Sequence, residues 1–429
     1  MPTPGSRWLA ALLLLLLAGC TGLYQRTLPE TPQTFARSSQ GGELWVGAAE
    51  TDITPEEPMY LAGYRLNRVS TAVHSLLGVR AFVLRQGGMK VAIVGIDNLG
   101  LQREDADWVK SGIAGYANGC VFLCSSHSHH APDLVGMWGF YLLSSGRDRD
   151  YLALVRARVA EAVAAAERAA RPATLWRGEG RVPARGVIKN SERKEVFDRR
   201  VTVLQARDAR SGEPFAALLH VACHPEVLRS RHDVISSDFV GDWVAHWRAA
   251  GNGQAVFVNG ALGAMVTPFG DPYGPEGVHP MVQRLAKACD EALAEAREVV
   301  VDRIEVRRAD VFLPLTSPGL TLGRLTLAVP RPVYRDNVRS TVGWLRLGDL
   351  EIVTVPGEME PGLAARIRLL ARNPDLLVFG LVDDEVGYLM SERDARDREF
   401  AYERLMSPSR SSGERVVEAL VGRREEAER

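Results

Sequence analysis

The stretch that decides both the fold and the candidate site is residues 121–133, VFLCSSHSHHAPD. Four apolar residues give way abruptly to serines, histidines and a proline, which is typical of a buried strand whose C-terminal end enters a site. In an extended or turning backbone His127 and His129 project to the same side. Neutral imidazole is a common zinc ligand and a proton carrier near neutral pH. The alternative is a polar loop whose histidines only cap the strand, because His-x-His also occurs in loops that bind no metal.

The bulk composition is that of an ordinary globular protein. The chain has 429 residues, of which 46% are hydrophobic and 24% are charged, and its formal net charge is -1. This length suffices for one large or two medium domains, and without a basic excess no nucleic acid partner is expected. No protein partner is predicted, so ligands have to be inferred from the candidate site.

The N-terminus reads as an export signal. An apolar run over residues 8–18 contains six consecutive leucines and ends in LAGC at residues 17–20. The run is too short to span a bilayer comfortably. It resembles a bacterial lipobox, which implies a lipoprotein signal peptide over residues 1–19 and lipid attachment to the thiol of Cys20; a plain signal peptide is the alternative. The expected location is the cell envelope, with the protein anchored to a membrane through Cys20. Thr21 replaces the aspartate that commonly retains such proteins in the inner membrane, which favours the outer membrane or cell surface.

Strand and helix patterns alternate along the rest of the chain. Residues 20–42 lack periodicity and read as a flexible tether after the lipidated cysteine, and one folded domain is expected over residues 43–429. The predicted strands are 44–49, 78–85, 90–96, 121–124, 201–206, 215–221, 254–259, 341–347, 351–355 and 376–381, and the predicted helices are 102–116, 150–170, 239–249, 281–296, 361–371 and one from residue 413. The alternation predicts an α/β domain with a layered mixed β-sheet and flanking helices. An irregular insertion is expected around residues 305–340.

Four cysteines follow Cys20, at positions 120, 124, 223 and 289. The first three lie beside predicted strand ends and could be buried thiols near the site. An exported location permits disulfides, but spacing cannot assign them, and none is predicted.

Several predicted strands end in residues that bind metals or transfer protons. The residues at these strand ends are His127, His129, His224, Glu358 and Tyr388. Ligands of layered α/β folds gather beyond the carboxyl ends of strands, and two imidazoles with a carboxylate form a recurrent catalytic zinc set. Each residue has a structural alternative: a core histidine, a carboxylate at a helix N-terminus or a half-buried tyrosine. Their shared placement favours a zinc site.

The order of these motifs resembles that of the neutral (non-lysosomal) ceramidases and their shorter bacterial relatives. The resemblance covers residues 46–403, and its motifs are GAA at 47–49, DITP at 52–55, GY at 63–64, SHSH at 126–129, CHP at 223–225, ISSDFVG at 235–241, PGE at 356–358, DDEVGY at 383–388 and YE at 402–403. It implies the fold of that family's N-terminal catalytic domain, bound Zn²⁺ and hydrolysis of a hydrophobic or N-acyl amide related to sphingolipids. By the resemblance, the residues that match zinc ligands are His127, His224, Glu358 and Tyr388.

The same resemblance implies three further roles. His129 matches a histidine placed to handle protons. Tyr402 matches a tyrosine that polarises the scissile carbonyl, and Arg193, in KNSER at residues 189–193, is the candidate for an arginine of the family's site.

Two departures from the family bear on the substrate. The signature, a serine followed by Asn-x-Gly-Asp-x-Ser-Pro, appears at residues 259–268 as NGALGAMVTP. Gly260 stands in place of the serine and Ala264 in place of the aspartate, so an acyl-enzyme route through that serine is excluded. The C-terminal immunoglobulin-like domain of the long ceramidases is also expected to be missing. Because of these two departures the sequence does not identify the substrate, whereas the residues that match metal ligands are all retained.

A mechanism that needs no serine remains chemically sound. It uses metal-activated water. His129 returns a proton to the leaving amine, and Tyr402, with Arg193 as a candidate second donor, stabilises the oxyanion. Asp97 and Asp238 are candidates for carboxylates that orient the imidazoles, or alternatively for strand-end caps. Two loops with aromatic residues, GMWGFYL at 136–142 and PFGDPYG at 268–274, are expected to shape an apolar pocket, and the alternative is that they pack on the core.

The sequence therefore predicts an exported, lipid-anchored zinc hydrolase that cleaves an amide. One alternative is a hydrolase of esters or small amides on the same scaffold. Another is a lipoprotein that keeps the fold, and the metal, as a binding module. The changes at Gly260 and Ala264 favour the binding module, whereas the retained ligand residues together with His129 argue against it.

Overall fold

The structure, a computed structural model, describes residues 25–26, 33–140, 144–183, 186–193, 196–270, 272–325, 329 and 331–428, and the side-chain surroundings of those between 33 and 422. The signal peptide over residues 1–19, the lipidated Cys20 and Tyr141 of the first aromatic loop lie outside the described residues. No described helix has both the length and the apolar character needed to cross a bilayer.

Strands supply most of the framework. In chain order they are β1 Gln25–Arg26, β2 Thr34–Gln40, β3 Trp45–Asp52, β4 Ala72–Val73, β5 Gly78–Gln86, β6 Met89–Ile96, β7 Val121–Ser125, β8 Arg171–Arg181, β9 Ile188–Asn190, β10 Arg200–Asp208 and β11 Pro214–Val221. They continue as β12 Val234–Ile235, β13 Gln254–Asn259, β14 Val266–Pro268, β15 Arg297–Val299, β16 Arg303–Pro314, β17 Val333–Tyr334, β18 Asn337–Leu347, β19 Leu350–Thr354, β20 Glu358–Met359, β21 Leu377–Phe379 and β22 Tyr388–Leu389.

The α-helices of the described residues cover the sheets. They are α1 Arg103–Lys110, α2 Arg149–Ala169, α3 Phe239–Ala249, α4 Pro275–Ala294, α5 Pro318–Leu325, α6 Pro361–Leu370, α7 Ala401–Leu405 and α8 Ser412–Glu428. Helix α2 begins where the Asp148 carboxylate accepts a hydrogen bond from the Tyr151 amide at 2.8 Å, which satisfies one of the free donors of its first turn.

Two large mixed sheets face each other. The first has the order β13-β11-β10-β8-β3-β5-β6-β7, with β15 paired to β8. Its edge strands β13 and β7 run parallel to their neighbours, and the pairs between them are antiparallel. The second sheet has the order β1-β17-β18-β16-β2, and β19 extends it from β18 to β21. Strands β5 and β6 form a hairpin and are joined by Gly87 and Gly88, both with positive φ.

The packing gives four layers, with helices outside and two sheets inside. One apolar cluster lies between the sheets and joins residues such as Phe122 and Leu218 of the first to Ile352 and Phe379 of the second. The outer face of the first sheet is covered by α1 and α2 at one end and by α3 and α4 at the other. Helices α6 and α8 cover the second sheet. The predicted α/β class, a layered mixed sheet with flanking helices, is therefore confirmed.

Two predictions about the course of the chain are wrong. The insertion expected around residues 305–340 contains β16 and the start of β18, which pair with each other along their length. The strand pattern of β16 was not recognised because charged residues recur along it. Two of them, Arg308 and Asp310, are buried. The tether expected over residues 20–42 is ordered at Thr34–Gln40, which pairs with β16 as an edge strand held by backbone hydrogen bonds.

Candidate metal centre and cavity

The first candidate ligand is fixed by the turn that follows β7. The amide of His127 donates to the carbonyl of Asn98 at 2.8 Å, and His127 has a φ of 71°. Positive φ is uncommon for a residue with a side chain and occurs often at functional sites. The Nδ1 atom of His127 lies 2.8 Å from the Leu99 carbonyl. Because that carbonyl can only accept, Nδ1 carries the proton of the neutral ring and Nε2 is left as a ligand atom.

His224 is oriented in the same way after β11. Its amide and its Nδ1 both lie close to the Val266 carbonyl, at 2.9 and 2.8 Å. The neutral ring therefore also presents a bare Nε2, and the imidazole is fully buried.

Glu358 and Tyr388 are brought together by the small parallel pair β20 and β22. The two residues are direct partners in that pair, and both are buried. Glu358 follows β19 through Pro356 and Gly357, so the second sheet delivers the carboxylate while the first delivers the imidazoles. The Tyr388 ring lies near Tyr402, with 6.1 Å between the ring centroids.

These side chains meet at one point. Glu358 Oε2 is 3.0 Å from His224 Nε2, and Glu358 Oε1 is 3.5 Å from His127 Nε2. The centroids of the two imidazole rings are 5.0 Å apart. Residues separated by 134 positions in the chain, such as His224 and Glu358, are thus in direct contact.

The electrostatics of the cluster follow from burial and from these contacts. Burial by itself raises the pKa of Glu358, but the adjacent imidazoles His127 and His224 outweigh it and hold the pKa well below its usual range. Burial by itself lowers the pKa of His224, but the Glu358 carboxylate outweighs burial and the pKa is raised. Burial and then the charge of Glu358 raise the pKa of Tyr388 well above its usual value.

The donor set fits a zinc ion. The Nε2 lone pairs of His127 and His224 face the carboxylate of Glu358. The Nδ1–H group of each imidazole donates to a backbone carbonyl. Acceptors that face each other in a buried place repel unless a proton or a cation lies between them. Imidazole nitrogens and carboxylate oxygens are ligands that zinc takes in catalytic sites. The residues His127, His224 and Glu358, with the Tyr388 phenol beside them, would hold the ion.

A third imidazole, His129, borders the same cluster. One ring nitrogen from each of His127, His129 and His224 lies within 4.8 Å of the others, a set that could also hold a metal. Both ring nitrogens of His129 are buried and accept or donate no hydrogen bond among the described residues. The nearest carboxylate is Glu226, whose Oε2 is 3.9 Å from His129 Nδ1. Burial, with the neighbouring imidazoles, lowers the pKa of His129 well below its ordinary value.

A cavity opens beside the cluster, and its wall is mostly apolar. The candidate residues that line it are His127, His129, Glu358, Tyr388 and Tyr402. Met137 and Trp138 of the first aromatic loop also line it, as that loop was expected to do. The second loop lies elsewhere, where Phe269 and Tyr273 border a separate small depression.

Tyr402 and Arg193 differ in their placement. Tyr402, on α7, is 54% exposed and reaches the cavity wall. Arg193 does not line the cavity; its Nη2 is 2.9 Å from Asp394 and 3.2 Å from Asp397. The structure thus brings Tyr402 to the cluster and leaves Arg193 outside it.

The carboxylates suggested as supports of the imidazoles have structural contacts instead. Asp97 accepts from the Gly78 amide at 2.9 Å and pairs with Arg80 at 2.8 Å. Asp238 accepts from the amide of Phe239 at 2.9 Å and caps α3. The capping alternative is correct for both residues, because backbone carbonyls already fix the two imidazoles.

The altered signature lies in a packed position. A Cβ atom added to Gly260 would be 3.0 Å from both His220 Nε2 and the Cβ of Ala222. A serine there would require its neighbours to shift. The described cysteines Cys120, Cys124, Cys223 and Cys289 are buried and free.

Sequence patterns missed several residues of the site. Glu226 follows His224 by two positions, and Glu385 lies in the same motif as Tyr388, so proximity in sequence was an available signal for both. Glu385 lines the cavity, and burial, followed by the charge of Glu358, raises its pKa well above the usual value. Arg324 and Arg331 also line the cavity, and nothing in their local sequence indicates it.

Comparison with solved structures identifies the fold. The crystal structure of neutral ceramidase from Pseudomonas aeruginosa matches with a TM-score of 0.72 and 18% sequence identity, over 90% of this chain and 75% of that chain. A structure described as ceramidase complexed with C2 matches with a TM-score of 0.74 and 17% identity, over 90% of this chain and 76% of that chain. No protein-family model and no curated protein sequence matches the chain. The fold implied by the sequence resemblance is therefore confirmed by structure.

Proposed function

We propose that this chain, which has the fold of the neutral ceramidases, is a zinc-dependent hydrolase of linear amides with a hydrophobic acyl group. One observation carries the proposal: the Nε2 atoms of His127 and His224 converge on the carboxylate of Glu358 at 3.5 and 3.0 Å. The cavity beside them has a mostly apolar wall, which suits an acyl chain.

The proposed chemistry divides between the ion and the protein. A bound zinc ion would act as a Lewis acid and would lower the pKa of a water molecule towards ~7. His129 accepts a proton from the attacking water and delivers it to the leaving amine, as a general base and then a general acid. Glu226 is the carboxylate beside that ring, with its Oε2 3.9 Å from His129 Nδ1. The Tyr402 hydroxyl donates to the carbonyl oxygen as negative charge develops there.

Arg193 has no role in this proposal, because its guanidinium is already paired with Asp394 and Asp397. No serine nucleophile is needed, which agrees with the packed position of Gly260.

The first experiment tests amide hydrolysis and the role of His129 together. Zinc-loaded protein from residue 21 onward is assayed with an N-lauroyl amide and with the matched lauroyl ester, with and without a chelator. We expect amide cleavage that the chelator abolishes. His129→Ala should lower kcat by about 10²- to 10⁴-fold, the usual contribution of a positioned acid or base, without loss of zinc.

The control is His279→Ala, because His279 is exposed on α4 and far in sequence from the site. It should leave both zinc content and kcat unchanged. Turnover of the ester alone would select the alternative hydrolase. Loss of zinc from His129→Ala would show that His129 is a ligand and reject its role in proton transfer.

We also propose that the protein is exported and anchored to a membrane through a lipid on Cys20. The support is the lipobox-like LAGC at residues 17–20 after an apolar run. Wild-type protein made in a bacterial host should partition into the detergent phase, and Cys20→Ala should move to the aqueous phase. An unlipidated wild-type protein in the aqueous phase would contradict the anchor.

A further inference from the structure

The wall of the cavity contains a cation that pairs with no carboxylate of the described residues. Arg324 is the cationic residue in question, on the last turn of α5, and it is half-buried. No carboxylate of the described residues pairs with its guanidinium, and its Nε is buried without a hydrogen-bond partner there. The neighbouring wall is apolar and includes Leu320, Val329 and Val338.

A second arginine of the same wall shows the contrast. Arg331 is buried, and its Nη2 pairs with Asp384, which also accepts from the Ser340 hydroxyl at 2.6 Å. The charge of Arg331 is therefore balanced inside the protein, whereas no carboxylate of the described residues balances that of Arg324. Withdrawing an unpaired charge from water is costly, and the cost falls when an anion supplies the missing hydrogen bonds.

The remaining acidic residues of the wall do not balance Arg324. Glu358 is engaged by the imidazoles at 3.0 and 3.5 Å, and neither Glu358 nor Glu385 lies within ion-pair distance of Arg324. Arg324 therefore lines the space that a substrate would fill, and no carboxylate of the described residues pairs with it.

We propose that Arg324 binds an oxyanion of the substrate, and that the enzyme acts on acyl amides whose amine portion is negatively charged rather than on neutral ceramide. The proposal rests on the proposed amide hydrolysis. A guanidinium pairs with carboxylate or phosphate oxygens through two parallel hydrogen bonds. The apolar wall would take the acyl chain, so a fatty acyl group on an amino acid supplies both features.

The experiment compares matched substrates that differ in charge. N-lauroylglycine is paired with N-lauroylethanolamine, and N-lauroyl-4-aminobutyrate with N-lauroyl-4-aminobutanol. The phosphate ester of N-lauroylethanolamine forms a third arm, which separates phosphate from carboxylate as the source of the anion. The variants of zinc-loaded protein are Arg324→Met, Arg324→Lys and, as the control, Arg168→Met on the exposed side of α2.

We expect wild type to prefer at least one anionic substrate over its neutral partner. Arg324→Met should lower kcat/KM for that anion about 10- to 100-fold, the usual loss for a hydrogen bond to a charged group, and change the neutral substrate less than twofold. Arg324→Lys should keep part of the preference, and Arg168→Met all of it. The melting temperature of each variant checks that the fold is intact.

The outcomes separate this inference from the proposed function. Equal loss on charged and neutral substrates, or a preference for the neutral member of every pair, would overturn the role of Arg324 while amide hydrolysis stands. If wild type cleaves none of the amides, the proposed function fails. Calorimetric binding of N-lauroylglycine then still tests Arg324, because Arg324→Met should weaken it about tenfold and unchanged binding would reject the inference.

Discussion

At the scale of single residues, His220 is a buried imidazole, and we expect acid to lower the stability of the protein because of it. It lies on β11, with its Nε2 3.0 Å from the Val378 carbonyl and its Nδ1 buried without a partner among the described residues. Burial lowers its pKa from the ordinary value of 6.5 to about 4. The unfolded chain therefore takes up a proton at higher pH than the native protein does.

The sign of the effect follows from linkage. Because the native pKa is depressed, the stability that His220 contributes is present above pH 6.5 and is lost as the pH falls towards 4. Relative to His220→Gln, whose amide can also donate to the Val378 carbonyl, wild type should lose about 2 kcal/mol of unfolding free energy between pH 7 and pH 5. Urea unfolding at both pH values measures this, with His279→Gln as the exposed control. A difference between wild type and His220→Gln that stays constant over this range would contradict the assignment.

Residue-level inference from sequence brought together the residues that are candidate metal ligands. His127, His224, Glu358 and Tyr388 could be chosen because each follows a strand and matches a motif of a known family, and the structure brings all four together. Arg193 could not be placed, because its position depends on the partners Asp394 and Asp397 some 200 residues away. A charge balance of this kind is set by tertiary packing and leaves no local pattern.

At the scale of elements, glycines let helices lie directly on the first sheet. A Cβ atom added to Gly180 of β8 would lie 1.8 Å from the carbonyl oxygen of Ala288 in α4. Gly180→Ala must therefore push α4 away from the sheet. We expect a loss of about 3 kcal/mol or more in unfolding free energy, at the upper end of overpacking effects.

The matched control for this substitution is Gly422→Ala. Gly422 lies in α8, and a Cβ there would meet nothing within 4 Å. Alanine should raise stability by up to about 1 kcal/mol, because it is the better helix former. Denaturant unfolding of both variants checks the prediction, and equal stability of Gly180→Ala and wild type would show that α4 does not press on β8.

Helices and strands whose apolar residues recur regularly could be predicted from the sequence. Strands that carry many charged residues could not. The helix over 239–249 and the strand over 254–259 were predicted with the bounds that the structure has. Strand β8 was missed because its arginines, glutamate and glycines lack strand propensity. Its glycines are explained only by the close approach of α4, a contact that no local sequence window contains.

At the scale of the whole molecule, the candidate centre joins two sheets. His127 and His224 follow strands of the first sheet, and Glu358 follows β19 of the second. The pairing of two sheets into one sandwich depends on contacts distant in sequence, so alternation of strands and helices predicted the class but not the four layers. A ligand that binds this centre in the folded state alone should also stabilise the docking of the two sheets.

Zinc content per chain tests the central claim most directly. Protein from residue 21 onward, purified without chelators, is analysed by inductively coupled plasma mass spectrometry for wild type, His127→Ala and the exposed control His279→Ala. We predict about one zinc per chain in wild type and in the control, and loss of that zinc in His127→Ala. Wild-type protein without stoichiometric zinc, or His127→Ala that retains it, would contradict a metal centre built from His127, His224 and Glu358.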